Sequence, residues 1–191
     1  DASRNDPRGD GLRALGNAML TSKASRLAFV RLDVLELSEE VAELHLRERM
    51  LIAGVAPLIA ALMMRNSVLT KVDLRSNGLG PTGAEVLAKG VAGSRSLAEL
   101  NLAHNFIKAD GLKAIAHGVG LCKQLTAIDL SDNQVCGIDA EGLGRHTIVG
   151  VKALANALAR SSMVAINLSG NRLEVDGAKA RWQRRRACGR A

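Results

Sequence analysis

The chain has 191 residues, 47% hydrophobic and 24% charged, with 26 Lys and Arg against 19 Asp and Glu for a net charge of +7. That length supports one domain with a sizeable core, and the balance is that of an ordinary soluble globular chain. Phe29, Phe106 and Trp182 are its whole aromatic set, with no Tyr, so an aromatic core is excluded and Leu, Ile, Val and Ala must build it.

The chain opens on Asp1 rather than a methionine, which reads as a segment of a longer product, with residues 1–10 as a disordered lead. A helix is expected over Gly11–Lys23 (GLRALGNAMLTSK), with Leu12, Leu15 and Met19 facing inward. "LAFVRLDVLEL" has the spacing of a strand unit at Leu27. "VAELHLRER" opens another at Val41, 14 residues later, so two strands are joined there without a helix. Met50–Met64, fifteen uncharged residues around Pro57, falls short of the roughly 20 that span a bilayer and reads as a buried helix.

From Leu69 one phrase recurs. "LTKVDLRSN", "LAELNLAHN" at Leu97 and "LTAIDLSDN" at Leu125 stand 28 residues apart, and "MVAINLSGN" follows at Met163 after 38. The Val41 copy has Arg49 where the others have Asn. Each phrase is a short strand whose apolar residues, such as Val72 and Leu74 or Leu100 and Leu102, point to one face. The closing Asn77, Asn105, Asn133 and Asn171 carry donors and an acceptor, and stacked they form a ladder satisfying turn backbone.

Between phrases the period becomes 3.6. Ala84, Leu87, Ala88 and Val91 share a helical stripe, as do Leu112, Ile115, Ala116 and Val119, and Val151, Leu154, Ala155 and Leu158. Thr82 with Glu85 has the spacing of a capping box, and Asp110 and Asp176 are N-cap candidates. Gly177 opens a further helix, but Arg181 and Arg185 take the positions matching Ile115 and Val119, so that helix is expected to be short and the tail frayed.

L-x-x-L-x-L-x-x-N followed by a full helix at this period resembles the ribonuclease-inhibitor-like leucine-rich repeats, the class used by NOD-like receptors and Ran GTPase-activating proteins. The resemblance implies an α/β right-handed leucine-rich-repeat horseshoe, a solenoid with parallel strands on the concave face and helices on the convex face. It implies protein binding on the concave face. The expected organisation is a repeat domain over residues 11–180, with irregular first units at 11–50, regular units at 51–180, an insert at 134–149 and a basic tail at 181–191.

The insert follows from spacing. Asn133 to Gly150 takes seventeen residues, where Asn77–Gly83, Asn105–Gly111 and Asn171–Gly177 take six. Cys136 and His146 could form a nucleophile and base with Asp139 or Glu141 as orienter. Gly137, Gly142 and Gly144 argue instead for a flexible surface loop. "GLGPTGAE" from Gly78 mimics a phosphate-binding loop, but Ala84 and Glu85 stand where Lys and Ser or Thr belong. His45, His104, His117 and His146 fall in separate units, so no metal or other cofactor is expected. Cys122, Cys136 and Cys188 cannot all pair, which favours a reducing compartment, the cytoplasm or alternatively the nucleus. The basic charge is local. Lys179, Arg181, Arg184, Arg185, Arg186 and Arg190 lie past Ala178, and removing these six from 26 leaves 20 cations against 19 acids. Nucleic acid is thus an expected partner only through the tail, with no membrane and no small-molecule substrate.

The residues alternating with the apolar pairs define a candidate binding face. His45, Asp73, Asn101, Asp129 and Asn167 form a central column; Glu43, Lys71 and Glu99 flank it on one side, and Arg47 and Arg75 on the other. Ala127 and Ala165 leave the far end nearly bare. The expected function is a non-catalytic protein-interaction module. The alternatives are a GTPase activator of the Ran-activating type and a structural segment of a large scaffold or axonemal assembly.

Overall fold

The computed structural model describes residues 10–21, 29–32, 35–38, 40–49, 52–138 and 143–173. Helix α1 spans Asp10–Thr21, followed by β1 (Phe29–Leu32) and β2 (Leu35–Ser38). β1 and β2 pair antiparallel, with Val30 opposite Leu37, as a sheet of their own. The strand expected near Leu27 therefore does not enter the repeat array. Only two residues separate these strands, a connection that suits an antiparallel hairpin, whereas a parallel neighbour needs a crossover.

The array begins at β3 (Glu43–His45) and continues through β4 (Lys71–Asp73), β5 (Glu99–Asn101), β6 (Ala127–Asp129) and β7 (Ala165–Asn167). These five strands form one parallel sheet in sequence order. The crossovers are α2 (Ile52–Arg65), α3 (Gly80–Gly93), α4 (Lys108–Leu121) and α5 (Val149–Leu158), each packed on the helix before it, with α2 packed on α1. Between sheet and helices lies the core. Val72, Leu74, Leu100, Leu102, Ile128 and Leu130 meet Leu87, Val91, Ile115, Val119 and Leu154 in one buried cluster. Each such side chain contributes about 1.5–3 kcal/mol by leaving water, and no unit could cover its own face without its neighbour.

Helix stripes differ from the sequence expectation at two places. In α1, Leu15 is 38% exposed and Met19 only 7%. The helix meets α2 at Gly16, where an added Cβ would lie 2.6 Å from that of Pro57, and this contact turns Leu15 outward. The Leu12 side chain lies outside the described residues. In α5, Val151 and Leu154 are buried but Ala155 and Leu158 only partly so; Ala157, which lies against Gly120 of α4, completes the buried side.

The capping box is not formed. Thr82 sits inside α3, whose N-cap is Leu79, and Asp110 sits inside the first turn of α4, whose N-cap is Ile107; neither cap uses a side chain. The next repeat supplies the acceptors instead. Gly80 N donates to Asn105 O and Lys108 N to Asn133 O, both at 2.9 Å. Pro81 occupies the first turn of α3, where a missing N–H costs nothing, and Asp110 still suits the positive end of its helix. Residues 1–9, Asp139, Glu141, Asp176, Gly177, Arg181, Arg185, Cys188 and the 181–191 tail lie outside the described residues. Among the described residues, no helix is long and apolar enough to cross a membrane.

Candidate protein-binding face

Each strand leaves the sheet through a turn built on asparagine. Asn105 Nδ2 donates to Leu74 O of the preceding repeat (2.8 Å) and to Leu102 O and Ala103 O of its own (3.1 and 3.0 Å). Its Oδ1 accepts from Asn77 N (3.1 Å) and Leu79 N (3.3 Å). Asn77, Asn133 and Asn171 repeat this arrangement, and all four are buried. Arg49 joins only through its backbone, donating to Asn77 Oδ1 at 3.0 Å. The residues on either side of each Asn are left-handed, with φ of 58° at Ser76, 54° at His104 and Phe106, 54° at Asp132 and 57° at Gln134. This tight wrapping lets one amide serve two repeats.

Sequence reasoning missed two parts of these turns. Leu79, Ile107 and Val135, two residues after the ladder asparagines, are fully buried and donate N–H to the next Asn Oδ1. Their recurrence as apolar residues was a legible signal. Asn66, 2% exposed at the other edge, holds Val41 O through Nδ2 (2.8 Å) and accepts from Val68 N and Leu69 N (2.7 and 2.6 Å). No repeat of its residue type marked it, since the matching positions are Ser94 and Cys122.

The register brings the polar columns together. Glu43, Lys71, Glu99, Ala127 and Ala165 stand in one row, and His45, Asp73, Asn101, Asp129 and Asn167 in the next. The central row also shapes the chain. Oδ1 of Asp73, Asn101, Asp129 and Asn167 each accepts the N–H two residues on, at 2.9–3.2 Å, an Asx turn repeated along the sheet. The face is laced with ion pairs, Lys71 to Glu99 (3.2 Å), Arg75 to Asp73 (2.9 Å) and Arg47 to Glu48 (2.7 Å), and His45 Nε2 lies in hydrogen-bond contact with Glu43 Oε2 (3.1 Å). The Lys71 amine is held above its ordinary pKa by its hydrogen bond to Glu99 and then by that carboxylate's charge. From Lys71 to Asn167 the face encloses an open concavity of about 420 Å³.

The insert closes on itself at its base. Thr147 N donates to Cys136 O (2.8 Å), and Ile138 pairs with Gly144 in a single antiparallel bridge. Gly137 and Gly144 are left-handed, with φ of 77° and 123°, and touch across this closure, where Cβ atoms would not fit. Cys136 is fully buried in the core, so its thiol is out of reach of a substrate. Its suggested orienters, Asp139 and Glu141, lie outside the described residues. Among the described residues, no three His, Cys, Asp or Glu cluster as a metal site.

A family model described as a leucine-rich repeat matches residues 65–88 and 93–116. No curated protein sequence matches the chain. Among solved structures, leiomodin-1 actin-binding site 2 is similar at 16% identity and a TM-score of 0.55, covering 80% of this chain and 86% of that one. The tropomodulin C-terminal domain from Caenorhabditis elegans is similar at 12% identity and a TM-score of 0.54, covering 93% and 97%. The repeats matched, the five-stranded parallel sheet and its stacked helices make this chain a leucine-rich-repeat solenoid of the α/β class.

Proposed function

We propose that the chain is a non-catalytic protein-interaction module that holds a protein partner on its concave strand face. What supports this is the register, which stacks charged and polar side chains at the spacing of adjacent strands, about 4.8 Å, around one open concavity. Binding energy at such faces concentrates on a few anchors, arginine among them. Arg75 lines the concavity, and Arg47 stands at the matching position one strand away. Reversing both, Arg47→Glu with Arg75→Glu, is expected to abolish capture of proteins from the native source at physiological salt while the circular dichroism spectrum stays unchanged. Retention of the same proteins by the variant would place binding on the insert or the helical side. Because one similar fold is an actin-binding site, co-sedimentation with actin filaments gives a defined first partner for the same pair of proteins.

A further inference from the structure

We propose that the C-terminal half of the concave face is a pocket for one lysine side chain of the protein partner, with Asp129 as its counter-ion. The inference deepens the concave-face reading and rests on it. Glu48, Asp73 and Glu99 each have an Arg or Lys partner within 3.2 Å, and Glu43 has the His45 imidazole at 3.1 Å. Asp129 has none among the described residues; its contacts are all neutral. Oδ1 accepts from Ser131 N (2.9 Å) and Ser131 Oγ (2.7 Å), and Oδ2 accepts from Asn167 Nδ2 (3.1 Å). A negative charge is thus held in place by dipoles, with no positive charge to match it.

The free valences select the kind of cation. With Oδ1 already taking two hydrogen bonds, the open acceptor position is on Oδ2 alone. An arginine fork needs both carboxylate oxygens, whereas a lysine ammonium is a point charge that needs one. Space points the same way. The flanking row that carries Glu43, Lys71 and Glu99 elsewhere carries Ala127 and Ala165 here, opposite each other in register and both lining the concavity. Two methyl groups leave room for a four-carbon stem, which lies along apolar surface while its head stays on the carboxylate.

The test pans a random dodecapeptide display library against the full chain. Enriched peptides are expected to share one lysine. Changing it to Ala is expected to weaken binding about tenfold, and changing it to Arg to weaken it measurably as well. Asp129→Asn, which keeps an acceptor for Ser131 and gives up only the exposed bond from Asn167, is expected to weaken the parent peptide about tenfold while the cooperative melting transition is retained; on that variant the peptide's Lys→Ala change has no further effect. A selection that yields no lysine-bearing binder, or unchanged affinity in Asp129→Asn, overturns the pocket. If affinity falls instead only with Arg47→Glu and Arg75→Glu, the concave-face reading stands and the lysine pocket falls. If neither variant weakens a selected peptide, both fall.

Discussion

At Asn105 one side chain holds five hydrogen bonds, three donated and two accepted, across two consecutive repeats. Truncation to Ala leaves buried backbone donors and acceptors without partners, at a cost of about 1–3 kcal/mol. Position in the array suggests a smaller effect at Asn171, in the turn after the last described strand. Its bonds argue otherwise: Nδ2 reaches Leu130 O, Leu168 O and Ser169 O, and Oδ1 accepts from Asn133 N and Val135 N. Asn105→Ala and Asn171→Ala are therefore expected to lower the denaturation midpoint by comparable amounts. A negligible effect at both would remove the ladder as a source of stability. The ladder positions were readable from the repeated Asn, but the left-handed turns around them were not, because Ser76, His104 and Phe106 share no side-chain chemistry that announces a positive φ.

Between elements, distance decides what a small residue means. Gly118 of α4 lies on the backbone of α3, where an added Cβ would stand 2.6 Å from Ala88 O, and a main-chain oxygen cannot swing aside. Gly118→Ala is expected to cost about 1–3 kcal/mol. Gly54 in α2 has nothing within 4 Å of its missing Cβ among the described residues, so Gly54→Ala should gain about 0.5–1 kcal/mol from better helix propensity. Equal shifts in thermal midpoint for the two would contradict this packing. The insert makes the opposite demand. Its ends meet at Cys136 and Thr147, so deleting residues 137–147 restores the six-residue spacing of the other turns. Loop length is entropically cheap, and the deletion is expected to change stability by less than about 1 kcal/mol in chemical denaturation. Loss of the cooperative transition would mean the loop is structural. The helix periods were legible because burial follows 3.6-residue spacing. The caps were not, because the acceptors come from Asn105 O and Asn133 O, a repeat away in sequence.

Across the whole molecule, the repeat was legible because a fixed period of 28 residues places like residues side by side, and the parallel register follows from that alone. The hairpin at β1 and β2 escaped, since its spacing imitates a repeat strand while its short connection enforces antiparallel pairing. The columns of the concave face were also legible, but not their pairing. Arg47 pairs along the chain with its neighbour Glu48, and Glu43 with His45, while Lys71 pairs across strands with Glu99. The claim that remains central is that a protein partner lies against the strands and not the helices. Carbodiimide labelling of exposed carboxylates, with and without a captured partner, tests it most directly. Glu99 and Asp129 on the concave face are expected to become protected, while Glu85 and Asp110, exposed on α3 and α4, label as before. Protection of Glu85 and Asp110 with Glu99 and Asp129 still reactive would contradict the account.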